Sequence, residues 1–501
     1  MYLKFHKILK KKPKLWLLIV LNATFALASL IYFYSNKYFF VGSDIYYYLS
    51  LADNLIEKGV LLNITSIPPL PIASPQNGIV FIMFLLKKIN FSDFQIIITI
   101  PFINFFLYLI SFYAVYKLAK FLKLNKKHIY LLSIFYYAHW IIYRLQLIPV
   151  NDGIYNIAVF WLIYLITYQL DKKKKFLIPI ILLSVLSINF RINTYLVLLS
   201  VAAVLFIQKR WKQLSTYMLI FFFTFFSLKL VVRSPIYNTD AKNLSEIHTY
   251  VSYYGQKTVN KIAQSPLVKS PILDDLHELF FESLPEVFLV RLDKISPSIN
   301  IIYLIFLLIQ ISGFVYGIKK KNFLLIFLST FIFANYSLGL LTGILSQRYF
   351  FHSYILTILI VLFFSSQNRK LEIIIYPYLF CVLFSSINIF AHPRQPTCVS
   401  ELLYKLREEN FTLPENSILL SDTHRHPYFF SDKSTHNPGH LSIKEIEGEQ
   451  IFVIGESESN NDVLQRFSKK TKIQDYTITP IRTNITATGT CSLSELKING
   501  N

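Results

Sequence analysis

Long runs of apolar residues recur along the whole chain, and they restrict its possible folds more than any other feature. A helix that spans a bilayer needs about 20 such residues, because the hydrocarbon core is about 30 Å thick and each helical residue rises about 1.5 Å. Apolar residues make up 53% of the 501 positions and charged residues only 16%, which is unlike a soluble domain. The sequence therefore predicts an α-helical polytopic membrane protein.

About eleven transmembrane helices are expected. They cover residues 15–34, 94–116, 129–148, 153–170, 176–190, 194–208, 214–232, 299–317, 323–344, 350–365 and 372–390. The first run follows a basic N-terminus and resembles a signal peptide, but its length of about 20 residues favours an uncleaved span.

Clusters of lysine and arginine predict the orientation. The clusters at 117–127, 172–175, 209–212, 319–321 and 369–370 fall on the same side as the basic N-terminus. The positive-inside rule makes that side cytoplasmic, and it accounts for the net charge of +21 without a nucleic-acid partner. Membrane lipids are the expected partners, and the Lys, Asn and Ile bias favours a bacterial inner membrane. An odd number of spans then places the residues after 391 in the periplasm or outside the cell.

Two domains are predicted. Residues 1–392 form the transmembrane domain, with external loops at 35–88 and 233–297, and residues 393–501 form a small soluble α/β domain. In the second domain we expect a helix over 399–409 and buried strands over 417–421 and 450–454. A disulfide between Cys398 and Cys491 is one possibility that the sequence leaves open.

The segment 78–89 departs from this pattern, because it is apolar but only about 12 residues long and ends in Lys87 and Lys88. Counting it as a span would place the basic cluster 117–127 outside. We therefore interpret it as an interfacial or re-entrant helix within the first external loop.

The first external loop carries the strongest functional signal. Asp44 follows the first span by about ten residues, and Tyr46, Tyr47 and Tyr48 come directly after Ile45. A carboxylate at this depth can meet both a lipid headgroup and a water-soluble acceptor. The structural alternative is that Asp44 or its neighbour caps a surface helix, with the tyrosines in the interfacial aromatic belt.

The loop combines an acidic residue, a Tyr-rich helix ending at Gly59, a Pro-rich turn and a second short apolar helix. This order resembles the first loop of membrane-embedded glycosyltransferases of the C superfamily (GT-C), which include protein O-mannosyltransferases and aminoarabinose lipid A transferases. The resemblance extends in outline over the whole chain. It implies transfer of a sugar, with inversion, from a polyprenyl-phosphate donor to a glycan, lipid or protein acceptor.

The resemblance also implies a set of site residues at the outer membrane edge. Asp44 matches the loop aspartate that serves as catalytic base or acceptor-binding carboxylate, and Asp152 matches a second acidic residue at an outer turn. Arg191 and the pair Arg348 and Tyr349 match positions where a cation would bind the donor phosphate. The alternative for each arginine is a helix-end side chain that extends to the interface.

Substrate contacts are also expected from Tyr47 and Tyr48, and no metal ligand is predicted. Because the loop has Ser43-Asp44-Ile45 where paired acidic residues are common, its lone aspartate neither requires nor excludes a divalent cation. The His-rich segment 421–440 matches no metal-site spacing, and we interpret it as a solvated loop.

The main alternative function is a lipid-linked glycan flippase or another transporter. Such a protein would carry charged residues inside the bundle at mid-membrane depth, whereas the charges here gather at membrane edges and loops. The sequence also lacks a visible internal repeat, which many transporters have. A glycosyltransferase is therefore the preferred interpretation.

Overall fold

Helices dominate the part of the chain before residue 392, and a mixed β-sheet follows them in the computed structural model. The structure describes residues 24, 45–57, 59, 61–63, 70–71, 78–139, 151–172, 176–191, 193–232, 298–342, 350–391, 398–409, 411, 413–414, 417–421, 435–436, 450–456, 464–465, 467–468, 473, 475–486 and 489–498. The predicted span 15–34, apart from residue 24, and the predicted loop 233–297 lie outside these residues.

Every predicted span after the first coincides with a helix in its described residues. In chain order the helices are α1 (Ile45–Glu57), α2 (Gly78–Lys88), α3 (Asp93–Phe121), α4 (Lys126–Tyr137), α5 (Asn151–Lys172), α6 (Leu177–Ile188), α7 (Thr194–Ile207), α8 (Trp211–Val232), α9 (Ser298–Lys320), α10 (Phe323–Thr342), α11 (Phe351–Gln367), α12 (Glu372–Ala391) and α13 (Cys398–Glu408). Helices α1 and α2 form the first loop together with the short strands β1 (Leu62–Asn63) and β2 (Leu70–Pro71).

Three stretches within the described ranges are long and apolar enough to cross a membrane. They are Gln95–Phe121, Asn151–Asp171 and Phe323–Leu340, and three shorter apolar helices accompany them. The chain is thus an integral membrane protein, while the count of about eleven spans remains a prediction. Helix α2 has only 11 residues, too few to cross a bilayer alone.

Helix α11 is the central helix of the bundle, because every residue from 351 to 363 is buried. Polar side chains connect it to three neighbouring helices, and hydrogen bonds of this kind contribute about 1 kcal/mol each in a membrane. The pairs are His352 with Asn156 of α5 (2.7 Å), Ser353 with Asn335 of α10 (3.2 Å), and Thr357 with Gln310 of α9 (2.7 Å). These bonds fix the register of α11 within the bundle.

The residues after α12 form a five-stranded sheet with strand order β4-β3-β5-β7-β6. Its strands are β3 (Ser417–Ser421), β4 (Thr435–His436), β5 (Gln450–Glu456), β6 (Tyr476–Thr486) and β7 (Gly489–Ile498). Strand β3 pairs in parallel with β4 and β5, whereas β7 is antiparallel to β5 and β6. The expected helix over 399–409 and the two expected strands are present as α13, β3 and β5.

A disulfide fastens α13 to this sheet. It joins Cys398, the first residue of α13, to Cys491 in β7, with the two Cα atoms 5.8 Å apart. Alternate residues of β3 and β5 point to opposite faces, so that Leu419 and Phe452 share a core with α13 while Ile418 and Ile451 belong to a second core. The disulfide that the sequence left open is therefore present.

One apolar core connects the first external loop to the C-terminal domain. It includes Leu49 of α1, Val80 of α2 and Ile97 at the start of α3. The same core includes Leu402 of α13 and Leu493 of β7. Burial of apolar surface stabilises such contacts by roughly 25 cal/mol per Å², so the loop and the domain support each other.

Candidate functional site

A nearly buried ion pair joins two residues that the sequence singles out separately. Asp152 lies in the first turn of α5, where the helix N-terminus favours a carboxylate. Arg191 lies in the turn between α6 and α7, and its Nε and Nη2 atoms are 2.6 Å and 2.5 Å from Oδ1 of Asp152. The side chains are 15% exposed for Arg191 and 2% exposed for Asp152. The pair therefore fixes the α6–α7 turn to the beginning of α5.

The backbone around Arg191 is held on both sides. Its N–H donates to the carbonyl of Ser187 at 3.0 Å, which continues the last turn of α6. Its carbonyl accepts from the backbone N–H of Thr194 at 3.2 Å and from the Thr194 hydroxyl at 2.9 Å. The guanidinium thus extends from an ordered turn.

Asn151 connects the same end of α5 to the first external loop. Its Oδ1 accepts a hydrogen bond from the backbone N–H of Ile79, the second residue of α2, at 3.0 Å. Its Nδ2 donates to the hydroxyl of Tyr48 on α1 at 3.4 Å. Since Asn151 and Asp152 are adjacent, α1 and α2 meet α5 next to the ion pair.

Gly78 allows α2 to approach the turn that carries Arg191. Its N–H donates to the carbonyl of Asn189 at 2.8 Å. A Cβ atom at position 78 would lie 2.7–2.9 Å from three ring carbons of Phe190, closer than real Cβ contacts come. Glycine is therefore required at this position by the close packing of the two segments.

The opposite end of α2 is held by charge. The Lys87 ammonium bonds to the Asp53 carboxylate of α1, and it lies 2.7 Å from Oδ1 of Asp93, the first residue of α3. Burial raises the pKa of Asp53 above its ordinary value of 3.8, an effect that exceeds the opposing effect of the Lys87 hydrogen bond. Helix α2 is thus fixed at both ends.

The structure brings together three of the seven predicted site residues: Asp152, Arg191 and Tyr48. Asp44 immediately precedes α1 in the sequence and lies outside the described residues. Tyr47 belongs to α1, but its side chain is also outside them. The same holds for Arg348 and Tyr349, which precede α11 in the sequence.

The described part of the site offers a divalent cation one carboxylate, that of Asp152. None of the described residues belongs to a group of three or more His, Cys, Asp or Glu side chains that could hold a metal ion. The carboxylate of Asp152 already binds the positively charged guanidinium of Arg191. A hard cation such as Mg²⁺ prefers several oxygen ligands, so a divalent cation at this site would need ligands in addition to Asp152.

Sequence reasoning missed the connections that assemble this site. Asn151 is not among the residues that the sequence singles out, and Gly78 is only the first position of the apolar segment 78–89. Neither residue has a local signal for its contacts, because Asn151 is 72 positions from Ile79 and 103 positions from Tyr48. An asparagine beside an aspartate at a predicted outer turn was the one available indication.

Comparison with known proteins gives a fold but no sequence family. No protein-family model matches the chain, and no curated protein matches it. Three matching solved structures are of the oligosaccharyltransferase of the archaeon Archaeoglobus fulgidus. They are its complex with Zn and sulfate, its complex with an inhibitory peptide and a dolichol-phosphate, and a form tethered by a disulfide to an acceptor peptide containing the NVT sequon.

These likenesses extend over nearly the whole chain. The TM-scores are 0.57, 0.56 and 0.56, the identities 11%, 10% and 10%, and the matches cover 94%, 96% and 97% of this chain. They cover 72%, 74% and 74% of the archaeal chain. The archaeal enzyme is a GT-C membrane glycosyltransferase, so the resemblance to that superfamily is confirmed as a likeness of fold.

Proposed function

We propose that this protein is a membrane glycosyltransferase that transfers a sugar from a polyprenyl-phosphate donor to an acceptor on the extracytoplasmic side. The observation that carries the proposal is the buried Asp152–Arg191 pair, which Asn151 joins to the first external loop in a GT-C fold. The pair combines an oriented cation with a carboxylate at one end of the bundle. Glycosyl transfer from a lipid phosphate needs both kinds of group.

Arg191 is the proposed phosphate ligand. Asp152 binds its Nε and Nη2 atoms and so orients the planar guanidinium before the donor arrives. The edge formed by Nη1 and Nη2 then faces the phosphate oxygens, where it stabilises the negative charge that develops as the anomeric carbon–oxygen bond breaks. Arg348 is proposed as a second cation for the same phosphate.

Asp44 is the proposed catalytic base, with Asp152 as the other acidic candidate. The acceptor hydroxyl loses its proton to the carboxylate while its oxygen attacks the anomeric carbon on the face opposite the lipid phosphate. The new glycosidic bond forms, the bond to the phosphate oxygen breaks, and polyprenyl phosphate leaves. Attack from the opposite face inverts the configuration of the anomeric carbon. Tyr47, Tyr48 and Tyr349 are the proposed substrate contacts.

The matched structures favour a protein acceptor and a long-chain isoprenoid donor. The archaeal enzyme was observed with a dolichol-phosphate in one structure and with an acceptor peptide in another. We propose the same two classes here, a polyprenyl-phosphate sugar and a peptide, with glycans and lipids as the other acceptors to test. The zinc in the archaeal structure is a property of that protein, and no step of this mechanism passes through a metal.

The disulfide supports the proposed orientation. Disulfides persist in oxidising compartments and are rare in the cytosol. The Cys398–Cys491 bond therefore favours a C-terminal domain on the extracytoplasmic side, with the basic N-terminus in the cytoplasm. A bacterial inner membrane is the proposed location.

Turnover in lipid nanodiscs tests the proposal. Purified protein is supplied with polyprenyl-phosphate sugars and a mixture of peptide, glycan and lipid acceptors, and released polyprenyl phosphate is measured. We expect this release to require an acceptor. Arg191→Ala and Arg348→Ala should each reduce it. In liposomes, movement of intact donor across the bilayer without cleavage would instead identify a transporter.

The burial of charges favours the enzyme over the transporter. Among the residues that the structure describes, Asp152 is the only buried Asp, Glu, Lys or Arg. It lies at the first turn of α5 and not at the middle of the helix. The buried histidines His128, His139 and His352 also lie at or next to helix ends, whereas a transport path for a charged substrate would place ionisable groups nearer the middle of the helices.

A further inference from the structure

Asn151 bonds to two separate parts of the first external loop through one carboxamide. The carbonyl oxygen accepts from Ile79 at the start of α2, and the amide nitrogen donates to Tyr48 on α1. A carboxamide supplies the acceptor and the neutral donor on two different atoms, its oxygen and its nitrogen. An aspartate would keep the bond from Ile79, but it could only accept from the Tyr48 hydroxyl, so the direction of the second bond would be reversed.

Asn151 is also rigidly placed with respect to the ion pair. It is 2% exposed, and it is one peptide bond from Asp152 in the first turn of α5. A buried polar group must keep its hydrogen bonds, since loss of one costs about 1–3 kcal/mol. The position of the carboxamide therefore determines how α1 and α2 lie against Asp152 and Arg191.

The loop has other anchors, so that a change at Asn151 displaces it without releasing it. Gly78 bonds to Asn189 at one end of α2, and Lys87 bonds to Asp53 and Asp93 at the other end. The apolar core shared with the C-terminal domain also holds both helices. Among these anchors, the Asn151 carboxamide is the hydrogen-bonding group that reaches α1 and α2 from α5.

We propose that Asn151 is a positioning residue, which sets the first external loop relative to the Asp152–Arg191 pair for the transfer step. This inference rests on the proposed function, in which the loop supplies Asp44, the residue immediately before α1 in the sequence. A misplacement of about 1 Å between reacting groups lowers a rate by up to about 10²-fold. Loss of the carboxamide therefore lowers kcat, whereas donor binding at Arg191 and Arg348 persists.

Asn125, an exposed residue between α3 and α4, provides a control. Asn125 accepts the backbone N–H of His128 at 3.0 Å, and its Oδ1 lies 2.7 Å from Nδ1 of the same histidine. Asn125 therefore resembles Asn151 in making one bond to a backbone amide and one contact with an aromatic side chain. It caps α4 within the predicted cytoplasmic cluster 117–127 and has no part in the proposed site.

The experiment compares the full-length wild type, Asn151→Ala, Tyr48→Phe and Asn125→Ala in lipid nanodiscs. Hydrogen exchange reports the amides of α2, and kinetics report kcat and the donor KM. We expect Asn151→Ala to speed exchange at Ile79 and lower kcat about 10- to 100-fold, with KM changed by less than about threefold. Tyr48→Phe should have a smaller effect, non-additive with Asn151→Ala. Asn125→Ala should keep wild-type values for both measurements.

Each outcome decides a different point. Unchanged exchange at Ile79 in Asn151→Ala, or equal kcat in Asn151→Ala and Asn125→Ala, would overturn the inference. A wild type that releases no polyprenyl phosphate would refute the proposed function, and the exchange data would still decide whether Asn151 positions the loop. A fall in kcat together with faster exchange supports the inference.

Discussion

Arg191 binds a single oxygen of Asp152, Oδ1, through both Nε and Nη2 across 39 positions of sequence. The contact unites the first turn of α5 with the turn between α6 and α7. Because the pair is largely removed from solvent, loss of either side chain would leave the other charge buried without a counter-charge. The two residues therefore act as one unit in both the folding and the proposed chemistry.

Removal of either member should destabilise the protein. Arg191→Ala leaves the Asp152 carboxylate buried without its cation, and loss of one partner of a buried pair costs about 3–5 kcal/mol. We expect a lower Tm in nanodiscs for Arg191→Ala. The double variant Arg191→Ala and Asp152→Asn should lose much less stability than the sum of the losses in the two single variants.

An exposed ion pair provides the control for this prediction. Lys127 and Glu372 are also 2.5 Å apart, but the lysine side chain is 50% exposed. Glu372→Gln should change Tm only slightly, because solvent screens such pairs. Equal losses for Arg191→Ala and Glu372→Gln would contradict the account of a buried pair.

Gly78 should not tolerate even one added methyl group. In Gly78→Ala the new Cβ would meet the Phe190 ring at under 3 Å, so that α2 or the ring must move. We expect a loss of turnover of about tenfold or more. Phe190→Leu added to Gly78→Ala should restore part of the turnover by making space for the methyl group. A steady-state assay of the two single variants and the double variant measures this. Full activity of Gly78→Ala alone would refute the close packing.

The disulfide should stabilise the C-terminal domain. Cys398 and Cys491 are separated by 93 positions, and closing a loop of this length contributes roughly 2–5 kcal/mol. The double variant Cys398→Ser and Cys491→Ser should show earlier proteolysis of the domain, as detected by limited digestion and mass spectrometry. Cys381→Ser is the control, because Cys381 is a free cysteine. Equal digestion of the double variant and the wild type would count against this prediction.

The raised pKa of Asp53 predicts how the stability of the protein changes with pH. Because burial raises its pKa in the folded state, the folded protein binds more protons than the unfolded chain above the ordinary pKa of 3.8. The Asp53 contribution to stability is present below pH 3.8 and is lost as the pH rises through the folded pKa. Asp53→Asn should flatten this part of the Tm–pH curve, which a series of thermal melts can measure. A steeper fall of Tm with rising pH in Asp53→Asn than in the wild type would contradict this direction.

Local hydropathy predicted the helical elements well. The predicted spans 153–170 and 372–390 coincide closely with α5 and α12, because apolar content and length follow directly from the bilayer thickness. The short segment at 78–89 is a separate helix, as its length indicated. In the C-terminal domain, the strands β3 and β5 were recognisable because each is a short continuous apolar run.

Tertiary contacts and polar strands were not predictable in this way. Most residues of strand β6 are exposed, including the apolar Ile478 and Ile485, and the strand has a register shift between Pro480 and Arg482. It therefore lacks the regular alternation that marks a strand. The bonds of Asn151 and the packing of Gly78 on Phe190 depend on segments that are distant in sequence. The resemblance and the predicted topology indicated Asp152 and Arg191 as residues of the outer membrane edge, but only the fold pairs them.

The most direct test of the proposed transfer is single-turnover release of polyprenyl phosphate by the wild type and Asp44→Asn in nanodiscs, with donor binding measured in the same samples. The account predicts acceptor-dependent release by the wild type. For Asp44→Asn it predicts donor binding of wild-type strength and a rate lower by about 10²-fold or more. Full transfer activity in a correctly inserted Asp44→Asn protein would contradict it.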